Sequence, residues 1–300
     1  MAFEVVTIAD GIYHLQSGAN SGLIVRDGRG ILIDTGLDDD AGRRIKKALD
    51  SLKVTLDAVI LTHGHADHFG GTAYLRRNLP AFTVYAPAIE AAFIANPMLE
   101  GYMLSAGAAP FDQLQSKFTR APGCVVDREL ALGSQTISGI ALDIIGLAGH
   151  SPNQIGVQIG SVLFSADAFL PIATLQKYPV PFTTHIGQAL EVLHQLEGRT
   201  GIIFAPGHGV HLPDAQETIK ANIKTLHAVI DATQGAIRTA PQHEGEITHV
   251  VCRALGDSLP SAVGYYLARA TIQASLVYLY EQGRATILND GRMAWTASSL

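Results

Sequence analysis

The sequence is poor in the residues that mark secreted, membrane-spanning or nucleic-acid-binding proteins. Its two cysteines, Cys124 and Cys252, favour free thiols over a disulfide framework. No run approaches the roughly 18 uninterrupted apolar residues of a transmembrane helix, so we expect no membrane span. The first residues, MAFEVVTIAD, lack the pattern of a secretory signal, which predicts a cytoplasmic protein. With only 16% charged residues and a net charge of −6, the chain has no general attraction to nucleic acid or anionic membranes.

What the sequence has is enough apolar material for a sizeable core. The 300 residues, 47% of them hydrophobic, suffice for one large domain or for one domain with a small appendage. Strand-like runs such as GIYHLQ, SGLIVRDGRGILIDTG and DAVILT alternate with helix-like segments such as AGRRIKKALDSL up to about residue 210. This alternation predicts a layered α/β core.

Four further segments carry specific predictions. Residues 69–79 are expected to form one helix that Pro80 ends, and a long helix is expected to begin near Pro213. From about His243 the tail is predicted to be helical and to finish in a hairpin around the Asp-Gly of RATILNDGRMAWTA. Residues 96–123 are too interrupted by glycine and proline for one regular helix, yet they carry large apolar side chains: Met98, Tyr102, Met103, Phe111 and Phe118. Two roles remain open for that stretch: it forms a substrate lid, or it packs as a satellite of the core.

The most informative stretch is LTHGHADHFGG, residues 61–71, because it places His63, His65, Asp67 and His68 within six positions. It follows the apolar run DAVIL, which predicts a buried strand. Imidazole nitrogens and carboxylate oxygens are common donors to transition metals. The pattern therefore predicts a metal site on the turn that leaves this strand, where α/β proteins often place their sites.

Further donors follow other predicted strands. His150 comes after IIGLAG, Asp167 after VLFSA, and His208 after IIFAPG. His211, three positions after His208, has either a supporting or a substrate-facing role. The other histidines lack a second donor close in sequence and are expected to lie outside the site: His14, His185, His194, His227, His243 and His249.

Seven donors exceed the four that one tetrahedral ion takes. They suit two divalent ions about 3.5–4 Å apart, bridged by a carboxylate and a hydroxide. With two aspartates and one hydroxide such a site carries a charge of about +1. An acidic protein would then hold a locally positive pocket, suited to polarising a carbonyl group or holding an anion.

The donor-bearing segments resemble those of the metallo-β-lactamase fold superfamily. THGHADHFGG matches the family's His-x-His-x-Asp-His motif, and GHSP, SADA and PGHG around His150, Asp167 and His208 match its later motifs in order. LIDTG at residues 32–36 matches an early Asp-Thr-Gly of the family. The resemblance covers roughly residues 10–235. It implies an α/β fold, a four-layer αβ/βα sandwich with the metal ions at one edge.

The resemblance also implies individual roles. The first ion would be bound by His63, His65 and His150, and the second by Asp67, His68 and His208, with Asp167 bridging the two. Asp67 is either a plain ligand or also the catalytic residue that orients the hydroxide or passes on its proton. Asp34 either supports the metal-binding loops or simply forms a turn. Zinc is the expected metal, with iron or manganese as alternatives.

Within the superfamily, an aspartate at position 167 in a chain without a signal peptide resembles the glyoxalase II-like hydrolases more than the true β-lactamases. The tail, however, lacks the basic pattern expected for holding glutathione. It resembles a small helical, winged-helix-like appendage, a combination that also occurs in an endoribonuclease branch. We therefore predict a hydrolase domain over residues 1–235 and a winged-helix-like appendage over residues 243–300.

The leading functional prediction is a hydrolase of a small acyl ester, thioester or lactone, in which a metal-bridging hydroxide attacks the carbonyl carbon. The alternatives are a phosphodiesterase or endoribonuclease, an iron-dependent oxygenase of the sulfur-dioxygenase type, and a non-catalytic regulator that seven intact donors make hard to defend. Residues 244–300 contain four arginines, no lysine and five acidic residues, so we expect no nucleic-acid binding. The tail is then a packing element or the dimerisation element of a homodimer.

Overall fold

The computed structural model of the chain describes residues 3–259, 261–289 and 293–298. The chain divides into two compact units. The first comprises Met1–Phe169 and Arg199–Ala215, and the second comprises Leu170–Gly198 and Gln216–Leu300. None of the described helices combines the length and the apolar character that crossing a membrane requires.

The first unit contains a seven-stranded sheet whose strands lie side by side in chain order. They are β1 (Glu4–Ala9), β2 (Ile12–Gln16), β3 (Ser21–Arg26), β4 (Arg29–Ile33), β5 (Thr55–Ile60), β6 (Thr83–Ala86) and β7 (Arg128–Glu129). Strands β1 to β4 pair antiparallel, and β4 to β7 pair in parallel. The predicted Asp-Gly turn joins β3 to β4: Asp27 and Gly28 have φ angles of 51° and 73°, as a tight hairpin turn requires.

A second sheet of five strands completes the β structure of this unit. Its strands are β8 (Gly133–Ile137), β9 (Ile140–Gly146), β10 (Ile155–Ile159), β11 (Val162–Ala166) and β12 (Ile203–Pro206), in the spatial order β12-β11-β10-β9-β8. Strands β8 to β11 pair antiparallel, and β12 joins β11 in parallel. The carboxyl ends of β11 and β12 therefore reach the same edge of the sheet.

Successive side chains of each strand point to opposite sides of the first sheet, and both faces of this sheet are buried. One face packs against the second sheet through Ile24, Ile31 and Ile60, which share a core cluster with residues such as Val157 and Phe164. The other face packs against helices, and the core cluster there combines residues of strands and helices: Leu23, Leu32, Val59 and Val84 from the strands, and Ile45, Leu49 and Leu75 from the helices. Two apolar layers thus hold the strand ends of this unit in place.

The helices of the first unit are α1 (Asp39–Leu52), α2 (Ala66–Phe69), α3 (Thr72–Asn78), α4 (Ala88–Ala95) and α5 (Met98–Leu104). The second unit contains α6 (Ile172–Lys177), α7 (Ile186–Glu197), α8 (Gln216–Arg238), α9 (Glu244–Leu255) and α10 (Ala262–Glu281). Helix α1 forms where AGRRIKKALDSL predicts it. The Asp38 side chain caps its first turn, and Ile45 and Leu49 are buried on its inner face.

The prediction of one helix over residues 69–79 was wrong. The chain forms α2 and α3 instead, separated by Gly70 and Gly71. A Cβ atom on these glycines would lie 1.8 and 2.2 Å from backbone oxygens of residues 35–37, so only glycine permits this close approach. Asp67 consequently lies inside α2 rather than at the start of a long helix.

Residues 96–123 contain more regular structure than the sequence indicates. Helix α5 passes through Gly101, where a Cβ atom would lie 3.0 Å from the ring of Pro110. Satellite core packing is wrong for four of the apolar side chains because they are exposed: Met98, Met103, Phe111 and Phe118. Leu104 and Leu114 are the buried anchors of the segment.

In the second unit, α8 begins at Gln216, three residues later than predicted. Leu212 forms an isolated antiparallel bridge with Phe204 in the first unit, so the residue before Pro213 is paired with a strand and the helix starts only after it. The tail is helical as predicted and ends in the paired strands β13 (Ala285–Asn289) and β14 (Met293–Ala297). The predicted Asp-Gly turn at residues 290–291 lies outside the described residues. The predicted domain boundary between residues 235 and 243 falls within this unit, where α8 packs with α9 and α10. The division into a hydrolase domain and an appendage therefore stays a prediction.

Candidate metal centre

All seven predicted donors meet at one edge of the first unit, because each follows a strand of one of the two sheets. The loop with His63, His65, Asp67 and His68 leaves β5, and the loop with His150 joins β9 to β10. The other two donors lie one and two positions after the parallel strands β11 and β12: Asp167 and His208. The donors from four separate segments thus form a single cluster.

Within the cluster, three histidines form one donor group. The ligand atoms of His63, His65 and His150 all lie within 4.8 Å of one another. His150 Nε2 and His65 Nδ1 are 3.0 Å apart. The group is deep on one side, where His63 is fully buried, and partly open at His65 and His150.

A second group consists of Asp67, His68 and His208, whose ligand atoms also lie within 4.8 Å of one another. Asp67 Oδ2 is 3.5 Å from His208 Nε2, and Asp67 Oδ1 is 3.9 Å from His68 Nε2. His68 is buried, whereas Asp67 and His208 are partly exposed. Each donor group therefore has one buried donor and two that solvent reaches.

Asp167 lies between the two groups. Its Oδ2 atom is 3.5 Å from His150 Nε2 and 3.3 Å from His208 Nε2, and its Oδ1 atom is 3.6 Å from His68 Nε2. The space for this carboxylate depends on Gly207, since a Cβ atom there would lie 2.1 Å from Asp167 Oδ1. One side chain thus faces both donor groups at comparable distances.

The donor set fits divalent ions. His63 Nε2, His68 Nε2 and Asp167 Oδ1 are buried and have no hydrogen-bond partner among the described residues. Such atoms are costly to leave unpaired in a protein interior. The separations of 3.3–3.6 Å around Asp167 also match a tetrahedral site, in which ligands at about 2.1 Å from an ion lie about 3.4 Å apart.

Asp34 supports this cluster from beneath. Its carboxylate accepts hydrogen bonds from the Thr62 backbone N–H and hydroxyl group, both at 2.8 Å, and from His68 Nδ1 at 2.9 Å. Asp34 also falls within 4.8 Å of His63 and His68 donor atoms, but these three hydrogen bonds occupy its oxygens. The contact with Nδ1 leaves His68 Nε2 facing the cluster, as carboxylates beneath ligand histidines do. Asp34 is therefore more than a turn former.

His208 is oriented by residues that the sequence did not reveal as functional. Its Nδ1 atom donates to the Gly18 carbonyl at 2.8 Å, which turns Nε2 towards Asp67 and Asp167. The buried Asn20 side chain donates to the Pro206 and Gly209 carbonyls at 3.0 and 2.7 Å. The only sequence signal for Asn20 was its place between two strands, which is also typical of an ordinary turn residue.

The cluster contains neutral histidines and, around Asp167, groups that carry charge. Burial lowers the pKa of His63 and His65 well below the usual range, so both are neutral and able to donate a lone pair. Burial also lowers the pKa of His208, but Asp167 outweighs it and brings the value to about 9. Burial would raise the pKa of Asp167, yet His208 and His68 hold it well below the usual range. The negative charge of Asp167 is thus balanced either by protonated histidines beside it or by a metal ion.

The histidines expected outside the site do not join either donor group among the described residues. His14 nevertheless lies close by, because its Nε2 atom donates to the Pro206 carbonyl at 3.1 Å. Gln16 Nε2 is 3.2 Å from His14 Nδ1 and 3.4 Å from His211 Nδ1. His211 therefore contacts the support of the His208 loop, which agrees with the supporting role among its two predicted roles.

His14 gives a pH prediction. Burial is the main cause that lowers its pKa to about 4, from 6.5. A buried neutral histidine opposes protonation, so the folded state is expected to lose stability as pH falls from 6.5 towards 4, by on the order of 3 kcal/mol. His14→Gln keeps a donor for the Pro206 carbonyl and should flatten this acid decline in urea unfolding measured at several pH values.

The matched control for that measurement is His227→Gln, since His227 lies on the exposed side of α8. It should leave the wild-type pH profile unchanged. An acid decline in His14→Gln as steep as in the wild type would mean that His14 does not cause it.

The sequence profile of the Metallo-beta-lactamase superfamily matches residues 16–208, a span that includes all seven donors. The chain belongs to this superfamily. A hydroxyacylglutathione hydrolase from Xanthomonas campestris pv. campestris (strain B100) is 25% identical over 240 residues, which are 80% of this chain and 76% of that relative.

Solved structures agree on the fold. A beta-lactamase domain protein from Burkholderia ambifaria superposes with a TM-score of 0.75 at 18% identity, covering 98% of this chain and 94% of its own. A metallo-beta-lactamase family protein from Thermus thermophilus gives the same TM-score and identity, covering 97% and 100%. The predicted metallo-β-lactamase sandwich is confirmed, and the chain is a metal-dependent hydrolase of this superfamily.

Proposed function

We propose that this protein hydrolyses a small ester, thioester or lactone with the help of two divalent ions, zinc being the first choice. The observation that carries the proposal is the position of Asp167 between two separate donor groups, with one of its oxygens buried and unpaired. His63, His65 and His150 would hold one ion. Asp67, His68 and His208 would hold the other, and Asp167 would contact both.

When bound, two such ions supply a water that is nucleophilic at neutral pH and a Lewis acid for the carbonyl oxygen. The residues of the chain fix where this chemistry takes place. Asp34 and the Gly18 carbonyl hold the Nε2 atoms of His68 and His208 towards the cluster. Asp67 has the most exposed carboxylate of the donor set, 31% by side chain. We assign it the added task of accepting the proton that the attacking water loses.

The relatives and the protein's own surface support the proposed substrate class. The hydroxyacylglutathione hydrolases are named for an acyl substrate, which supports an acyl group here. Phosphodiester substrates are disfavoured, because the chain carries a net charge of −6 and its last 57 residues have more acidic than basic groups.

The apolar residues of α5 and of residues 105–118 supply a candidate wall for the acyl chain. Glu100 on α5 lies within electrostatic range of the donor cluster, since burial and, after it, Asp67 raise the pKa of its carboxyl. The same helix exposes Met98 and Met103. Tyr102 lines a cavity of about 120 Å³ together with Pro110 and Leu114. Exposed apolar side chains beside a polar cluster are typical of a substrate pocket.

A substrate panel tests the proposed function. Thioesters, esters, lactones, β-lactams and phosphodiesters, including single-stranded RNA, should be assayed on protein whose metal content has been measured. We expect the highest kcat/KM for a carbonyl substrate outside the β-lactams. A phosphodiester as the best substrate would contradict the proposal, and so would oxygen consumption by iron-loaded protein with a thiol-derived substrate.

The apolar wall gives a selectivity prediction. Tyr102→Ala and Phe111→Ala should change the ratio of kcat/KM between long and short acyl chains by about tenfold, since one methylene contact contributes about 1–3 kcal/mol to discrimination. Metal content should stay at the wild-type value, because neither side chain belongs to the donor cluster. Steady-state kinetics on an acyl-chain series and elemental analysis measure both.

Leu104→Ala is the matched control in the same segment, because Leu104 is 5% exposed and does not line the cavity beside Tyr102. Its truncation should lower the free energy of unfolding by about 2–5 kcal/mol, and with it the melting temperature. It should lower kcat/KM for all substrates by the same factor. If Tyr102→Ala behaves like this control, with unchanged selectivity, the segment is core and not a substrate wall.

A further inference from the structure

Glu90 is a buried carboxylate that belongs to neither donor group. It lies on α4, in the apolar segment AIEAAFIA, and only 1% of its surface is exposed. A carboxylate is rare in such a place unless its oxygens are paired. The sequence offered no sign of a function for it.

The oxygens of Glu90 are paired with the two loops that carry the three-histidine group. Oε2 accepts the backbone N–H of Gly64 at 2.8 Å. Oε1 accepts the hydroxyl of Ser151 at 2.8 Å and the backbone N–H of Asn153 at 2.7 Å. Gly64 lies between His63 and His65, and Ser151 follows His150. One side chain therefore joins segments that are more than 80 positions apart.

The contact between α4 and the first loop is also close in space. A Cβ atom on Gly64 would lie 2.7 Å from Phe93 Cβ and 3.2 Å from Glu90 Oε2. No larger residue fits between the two histidines while the helix stays in place. The packing leaves the Gly64 N–H without access to water, so the carboxylate is its partner.

The second donor group has different supports. The Nδ1 atom of His68 is held by Asp34, and that of His208 by the Gly18 carbonyl, while Glu90 accepts no hydrogen bond from His68 itself or from the His208 loop among the described residues. The His68 and His208 rings are thus oriented by contacts other than those of Glu90.

We infer that Glu90 is the positioning residue of the three-histidine group: it sets the distance between the His63–His65 loop and the His150 loop, and so the affinity for one of two ions. The inference rests on the proposed two-ion site. It assigns Glu90 no contact with the substrate. Hydrogen bonds that orient ligand-bearing segments typically change metal affinity by about 10- to 100-fold.

Glu90→Gln is the sharpest test because it preserves the shape of the side chain. If the amide oxygen accepts from Ser151 and Asn153, the amide NH₂ faces the Gly64 N–H, and two donors then oppose each other. We expect one ion to bind about 10- to 100-fold more weakly and the other to bind as in the wild type. Calorimetric titration of the metal-free protein with Zn²⁺ and visible absorption after Co²⁺ loading measure this without any assay of activity.

Two variants accompany it. Glu129→Gln makes the same chemical change at an exposed glutamate of β7 and should leave both affinities unchanged. Ser151→Ala removes one of the three donors to Glu90 without touching a charge, and should weaken the same ion by a smaller factor. Ser151→Ala carries the test if Glu90→Gln does not fold.

The outcomes separate the inference from the proposed function. A wild-type protein that binds fewer than two ions contradicts the proposed two-ion site itself. Two ions in the wild type with unchanged affinities in Glu90→Gln, or in Ser151→Ala if the former does not fold, overturn only the inference. An equal loss of both ions also overturns it, because the positioning would then not be specific to the three histidines.

Discussion

Asp167→Ala is expected to lower the metal content from two ions per chain to one or none, and to lower kcat/KM by on the order of 10³-fold, about 4 kcal/mol of transition-state stabilisation. The reason is its position, since its two oxygens lie 3.3–3.6 Å from histidine nitrogens of both donor groups. Without it, no carboxylate would lie between the two donor groups. Elemental analysis and steady-state kinetics measure the two effects.

Asp143→Ala is the control for Asp167→Ala, because Asp143 lies exposed on β9 of the same sheet and contacts Ser134 only at the surface. It should match the wild type in metal content and rate. Asp167→Asn separates charge from shape, since one oxygen is kept and the charge is lost. Wild-type loading in Asp167→Ala would mean that Asp167 is not part of the metal site.

The assembly of the seven donors was predictable from sequence because strand ends obey simple geometry. A donor lies one to three positions after the last strand residue at Ile60, at Ala166 and at Pro206. Strands β11 and β12 run in parallel, so Asp167 and His208 share an edge. Their binding of metal stays a prediction, but their convergence is a fact of the fold.

The supports of the cluster were not predictable in the same way. Glu90 and Asn20 form side-chain hydrogen bonds to segments 26 to 189 positions away, and no periodic pattern encodes such pairs. Asp34 was the exception, because its place directly after a strand and its match to the LIDTG motif both drew attention to it. Long-range side-chain partners can thus be identified only in the folded structure, whereas donors at strand ends can be predicted from the sequence.

The prediction of secondary structure failed where tertiary contacts determine the local conformation. Residues 69–79 have a helical pattern, yet the approach of a backbone segment at Gly70 and Gly71 interrupts it. Strand β8 was missed because most of its residues are exposed, so no apolar alternation marks it. Helix α5 was missed for the opposite reason: Gly101 suggests a break, but it serves close packing against Pro110.

Removal of the metal ions is expected to abolish activity and to lower the melting temperature by about 10 °C or more at about pH 9, if both sites are well saturated beforehand. Three buried donor atoms lose their partner in the metal-free protein: His63 Nε2, His68 Nε2 and Asp167 Oδ1. Protons on His68 and His208 replace part of the lost charge, because Asp167 raises the pKa of both, to about 9 for His208. Dialysis against a chelator followed by calorimetry measures the difference.

The pH dependence makes that measurement specific to the cluster. A histidine whose folded pKa is raised stabilises the folded state fully below the unfolded value of 6.5. That stabilisation is lost as pH rises towards about 9. The metal-free protein should therefore lose stability between these values, while the loaded protein does not, so the gap in melting temperature widens with pH. Adding Zn²⁺ back should close it. A gap that is constant from pH 6.5 to about 9 would mean that the ions and the protons do not share the carboxylate of Asp167.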